Sequence, residues 1–195
     1  VKMMSSAENC TDNELYLKAA TSLHKLQPTS QSAYFLYRLN ASRGNVDEAL
    51  SYISEALAYT DLETETAADY NYEAAAFCVK NGRNPQAITF AEKAKELSSS
   101  YAGKVYFLIG TIWGATSCGG DEISRRAPYW VAVDYMERAK AADASLAEDC
   151  NRMISQYRVY YPQTAEAFMY NLTDGQSYTV SCGGMRATTT VRTQK

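Results

Sequence analysis

The chain has 195 residues, 46% hydrophobic and 21% charged, with a formal net charge of −3. That balance gives a globular chain and not a disordered one. The acid excess, with no basic face or lysine-rich arm, argues against a nucleic-acid partner. The longest apolar run, near residues 106–113, is far short of the roughly 20 residues that span a bilayer and argues against membrane insertion.

Prolines are few, at 4, and alanines frequent, which favours helix. Residues 1–11 are a ragged polar lead-in; Val1-Lys2-Met3-Met4-Ser5 shows no signal peptide, which leaves the compartment open. Residues 12–26 read as a helix with Leu15, Leu17, Ala19, Ala20, Leu23 and Leu26 apolar, closed by Pro28. Residues 31–43 form the next helix, and Gly44 suits its left-handed stop. Residues 46–57 return antiparallel, with Ala49 and Ala56 two turns apart on one face, beside Leu50, Ile53 and Leu57. Small residues there let a neighbouring helix approach closely. After a polar linker at 58–66, the pattern returns: a helix at 67–80, a turn at Gly82, and a helix from Pro85 to about 97 with Ala87 and Ala94. A strongly apolar helix follows at 102–115, then a break at 118–126. Its partner at 128–141 carries Ala132 and Ala139. Ser145 to Glu148 reads as a capping box opening a helix to about 160; 163–170 is one more short helix. Two β-forming segments at 177–182 and 187–193 flank Gly183-Gly184, a hairpin signal.

The residues offer little chemistry. His24 is the one histidine, placed on an apolar helix as a partly exposed structural residue. No GxSxG, HExxH, P-loop or GxGxxG occurs. A cysteine nucleophile would need a histidine within reach of Cys118 or Cys182. Asp121 and Glu122 form an acidic pair that would either bind a cation or be solvated. The expectation is a protein without catalytic residues, metal or cofactor. Five cysteines, Cys10, Cys78, Cys118, Cys150 and Cys182, are too widely spaced for a metal knuckle. They read either as buried reduced side chains or as including a bonded pair.

With its pairs of helices, the chain resembles a tetratricopeptide-repeat protein, built from helix–turn–helix units of about 34 residues. Leu36, Gly44, Ala49, Ile53 and Ala56 carry the match in the first full unit. Ala74-Ala75, Gly82, Ala87 and Ala94 carry it in the second, and Ile109-Gly110, Trp113, Ala132, Met136 and Ala139 in the third. Ala49 and Ala87 lie 38 residues apart and Ala87 and Ala132 lie 45 apart; both excesses fall where turn residues cluster. The resemblance implies an all-α, right-handed solenoid of about three and a half helix pairs over 12–160. A capping helix and a C-terminal extension at 161–195, bearing the hairpin, would complete it. Tyr129-Trp130-Val131-Ala132-Val133-Asp134, with Gly175 to Val180 and Thr188 to Arg192, resembles the C-terminal module of exported bacterial tetratricopeptide-repeat proteins. That implies a periplasmic or envelope location, with the cytoplasm as the alternative.

In this family the first helix of each pair lines a concave groove that takes extended peptides. Carried over, the first unit presents Gln31, Tyr34, Arg38, Ala41 and Ser42 to it. The second presents Asp69, Tyr72, Ala76, Val79 and Lys80, and the third Lys104, Phe107, Thr111, Gly114 and Ala115. Tyr34, Tyr72 and Phe107 would form an aromatic ladder, and Arg38 and Lys80 would hold an acidic group of a peptide. The Lys/Asn set of the family's carboxylate clamps is broken at Arg38, Ser42 and Ala76. Cys118 and Cys182 both precede Gly-Gly and both fall towards the C-terminal end of the stack. A disulfide there would staple the hairpin to the insertion and imply an oxidising compartment; two free loop cysteines are the alternative. Two functions follow. One is a module binding a protein or peptide in the groove, which needs Tyr34, Tyr72 and Phe107 partly exposed. The other is an assembly component acting through the insertion and hairpin, which needs them buried. The residues fix neither the partner nor the oligomeric state.

Overall fold

A computed structural model describes residues 14–60 and 62–194 of the chain. The polar lead-in at 1–11, Cys10 and the expected helix start at 12 and 13 lie outside the described residues. Helices α1 (Glu14–Leu26), α2 (Ser30–Ser42), α3 (Val46–Ala58), α4 (Thr64–Lys80), α5 (Asn84–Leu97), α6 (Ala102–Ala115), α7 (Glu122–Ala142), α8 (Ala147–Arg158) and α9 (Thr164–Met169) precede strands β1 (Ser177–Cys182) and β2 (Met185–Thr190). The pairs α2/α3, α4/α5 and α6/α7 pack most extensively, and each pair also touches the next. The result is an all-α solenoid ending in a two-stranded antiparallel hairpin.

The alanine seams explain the stacking. Ala49, Ala56, Ala87, Ala94, Ala132 and Ala139 are all fully buried, so α3, α5 and α7 approach their neighbours at methyl-group distance. Ile53, Val105, Ile109, Trp113 and Met136 fill the space beside them. α2 begins at a capping box between Thr29 and Ser32. Gly44 and Gly82 take left-handed backbone at φ 76° and 70°, so each inner helix stops within a turn of its partner's start.

Four expectations about the helical region need correction. Most of the break at 118–126 is helix: α7 starts at Glu122, with Asp121 accepting a hydrogen bond from the Ser124 amide at 2.7 Å. Glu122 pairs with Arg125 and Arg126 on the same turn, and Ile123 and Ala127 are buried. Pro128 therefore lies inside the helix and does not open it. At 143–148 the cap is Asp143, accepting from the Ser145 amide at 2.9 Å; Ser145 itself lies in a short 3₁₀ turn, Ala144–Leu146. α4 begins three residues early, at Thr64. His24 is buried, with Nδ1 2.6 Å from Ser32 Oγ and Nε2 2.9 Å from Glu55 Oε1, and so clips α1 to α2 and α3.

The hairpin turns at Gly183 and Gly184, both at positive φ, which matches the twist of a two-residue hairpin loop. Cys182 consequently pairs with Met185, and β2 starts two residues before the expected segment. β2 also ends at Thr190, because Arg192 turns to α7. There its guanidinium binds the Asp134 carboxylate and the Trp130 carbonyl. The Trp130 indole N–H donates to the Arg192 carbonyl at 2.9 Å, and the Thr189 hydroxyl donates to Asp134 at 2.5 Å. Val180, Met185 and Val191 join the same hydrophobic cluster as the helices. A disulfide joins Cys118 to Cys182, with their Cα atoms 5.7 Å apart, and the turn rests against Pro85 and Thr116.

Two outcomes test this anchoring. The bond closes a 64-residue separation, so the C118S/C182S protein should lose about 2–4 kcal/mol. Its Tm should fall by about 5–15 °C, and dithiothreitol should produce the same fall in the wild type and none in the variant. Asp134→Ala should cost about 1–3 kcal/mol, since it leaves Arg192 and Thr189 without their acceptor. Hydrogen exchange should show that loss first at the amides of 185–191.

Candidate functional site

The inner helices α2, α4, α6 and α8 form one face of the stack. Tyr34 on α2 donates its hydroxyl to Glu73 on α4, Tyr101 just before α6 donates to Asp69 on α4, and Gly114 on α6 lies against the Tyr157 ring of α8. Among the described residues no helix is long and apolar enough to cross a membrane.

Between α2 and α4 lies an open groove of about 590 Å³. Arg38, Ala41 and Ser42 line one side, and Glu73, Ala76, Phe77 and Lys80 the other. The structure thus brings Arg38 and Lys80 into one groove. Arg38 is 67% exposed and meets Glu73 only through Nε, at 3.9 Å. A contact this long between exposed groups is weak, and the rest of the guanidinium fork points to no acceptor among the described residues. Lys80 is exposed and has no carboxylate within ion-pairing distance among them. One carboxylate therefore faces two cations, and the groove is net positive.

Tyr37 lines the groove, and next to it on the same face is a tyrosine stack. Tyr34 stacks on Tyr70 at 3.8 Å and 5°. Burial, then the hydrogen bond to Glu73, pushes the Tyr34 phenol well above its ordinary range; burial does the same for Tyr37. Both phenols are held neutral, and Tyr34 donates to Glu73. Further along, Asp69, Tyr72 and Lys104 gather around Tyr101. The Tyr72 and Tyr101 rings lie 5.2 Å apart, and Lys104 Nζ is 5.5 Å from the Tyr101 centroid. The bond to Asp69, with burial second, pushes the Tyr101 phenol up to about 12.

The expected ladder of Tyr34, Tyr72 and Phe107 is thus replaced by separate pairs, although all three side chains are half-buried. Two residues apart on a helix means about 200° of rotation, so Tyr70 faces α2 while Tyr72 faces α6. Phe107 and Val79 pack at the edge of the hydrophobic core. Thr111 spends its hydroxyl on the Phe107 carbonyl at 2.8 Å. Sequence reasoning missed Tyr70, Glu73 and Tyr101; the i,i+3 spacing of Tyr70 and Glu73 was the available signal.

Candidate chemistry elsewhere is spent on structure. Asp121 caps α7, and the Ser124 amide holds its carboxyl below the usual range. The Arg126 and Arg125 guanidinia do the same for Glu122. Cys118 and Cys182 are bonded to one another, and both His24 nitrogens are engaged. Cys78 and Cys150 are buried free thiols, raised by that burial.

No protein-family model and no curated protein matches the sequence. Among solved structures, the crystal structure of MamA is similar at 14% identity, covering 74% of this chain and 81% of that one, with a TM-score of 0.49.

Proposed function

We propose that the protein is a non-enzymatic interaction module that binds an extended peptide segment of a protein partner along its inner face. The observation that carries this reading is the groove between α2 and α4, where Arg38, held only by a 3.9 Å contact to Glu73, and Lys80, in no ion pair among the described residues, flank one open channel. A guanidinium fork takes a carboxylate bidentately, and an ammonium across the channel adds a second point of attraction. The neutral Tyr37 phenol and the Phe77 ring in the lining add aromatic area without repelling an acidic ligand. The Cys118–Cys182 bond supports an oxidising compartment such as the cell envelope. A second reading, assembly into a larger envelope complex, draws on Phe168 and Met169, which are 73% and 78% exposed near the hairpin.

The test is selection of a random peptide library on the immobilised full chain. Enriched sequences should carry Asp or Glu. Charge reversal in R38E/K80E should abolish that enrichment, lower the affinity of a selected peptide at least tenfold, and leave Tm unchanged. An enriched set without acidic residues, or one indifferent to the double reversal, would refute the groove.

A further inference from the structure

The inner face carries a second cleft two helices further on, different in character from the first. It lies between the C-terminal ends of α6 and α8, as the cationic groove lies between those of α2 and α4. Its volume is about 550 Å³, and Tyr129, Gln156, Tyr157, Val159 and Tyr160 line it with Gly114 at its floor. Tyr129 and Tyr160 stack at 4.3 Å and 12°, and Tyr129 and Tyr157 lie 5.8 Å apart. Apart from the phenols, no side chain in this lining titrates. Val159 and Tyr160 nevertheless stand 65% and 50% exposed: large apolar surface left to water at the mouth of a cleft.

Gly114 makes this arrangement possible. A Cβ at that position would lie 2.2 Å from Tyr157 Cζ, far inside contact distance, so any larger residue would push the ring from its place across α6. At the matching end of α2 the chain carries Ala41 and Ser42, and on α4 Val79 and Lys80. The first groove also holds an aromatic pair, Tyr37 and Phe77 at 5.7 Å, but sets Arg38, Glu73 and Lys80 beside it, whereas the last cleft carries its tyrosines with no Asp, Glu, Lys or Arg in its lining.

We infer that this tyrosine cleft is the second anchor of the same groove and takes a bulky apolar side chain, Trp, Phe or Leu, of a peptide whose acidic residue sits at Arg38 and Lys80. The inference rests on the groove reading above and adds the ligand's pattern to it. Charge complementarity fixes the acidic end at the net-positive groove, and the uncharged cleft suits an apolar group. The spacing follows from the stack. Two inner-helix steps of about 8–10 Å separate the clefts, so roughly 16–20 Å of extended chain at about 3.3 Å per residue gives an offset of about five or six residues. The anchors also differ in kind: the cationic end sets register, and the aromatic end supplies buried area.

The same library selection tests this with a second variant, V159S/Y160A, which alters exposed side chains and should keep the wild-type Tm. Wild type should enrich peptides with an acidic residue and a bulky apolar residue five or six positions apart. V159S/Y160A should keep the acidic preference and lose the apolar one, and a selected two-anchor peptide should bind it about tenfold more weakly. The same peptide with glycine in place of its apolar anchor should bind both proteins alike. An acidic consensus without an apolar position would overturn the second anchor and leave the groove standing. So would an apolar preference that survives in V159S/Y160A. A consensus without acidic residues would overturn the groove and the second anchor together.

Discussion

A two-helix unit cannot bury its own apolar faces, and the architecture follows from how closely the units can meet. The fully buried alanines at Ala49, Ala87 and Ala132, each repeated seven residues on, let backbones approach where a larger side chain would hold them apart. Close approach lets Ile53, Ile109 and Met136 interdigitate with the adjoining helices at core density. It also brings the inner helices near enough for side chains to bridge them, as Tyr34 and Glu73 do across α2 and α4. The groove is thus a by-product of the seam: without methyl-sized spacers, Arg38 and Lys80 would not face one channel.

The C-terminal hairpin solves a different problem. Two strands alone are marginal in water, and this pair is fixed on three sides. Tyr178 lies edge-on to Trp130 at 5.5 Å. Asp134 binds Thr189 and Arg192 together, and the disulfide ties the turn to the segment before α7. Trp130 and Asp134 on one side and Thr189 and Arg192 on the other are the two halves of this clamp. Their co-occurrence is explained by folding.

Helix ends marked by glycine or proline were legible from residue identity, because those residues constrain the backbone directly. α7 was not. Its first turn depends on Asp121 as a cap and on Glu122 pairing with two arginines, and Pro128 mimicked a start. Arg38 and Lys80 were legible as groove residues because repeat position sets which way a helical side chain points. The aromatic partners were not, since Tyr70 and Tyr72 differ by half a turn and only the stacked structure decides which neighbour each meets. His24 looked peripheral because its partners, Ser32 and Glu55, lie on two other helices.

The distribution of charge along the inner face carries the functional argument furthest. Glu73 and Asp69 each accept a hydrogen bond from a tyrosine, so the acids on this face are turned toward its own walls. The cations are not: Arg38 makes one long contact, and Lys80 makes no ion pair among the described residues. Raised phenol pKa values follow from the same arrangement, since a carboxylate acceptor and burial both favour the neutral hydroxyl. Glu73 and Asp69 keep their charge but are oriented by these phenols, whereas Arg38 and Lys80 leave most of their donor capacity open at the α2–α4 groove. A peptide bearing a carboxylate meets attraction at the α2–α4 groove with one weakly paired carboxylate opposing it, whereas a basic peptide meets cations whose competing acids are already engaged. On the proposed groove reading, that asymmetry favours an acidic ligand over a basic one.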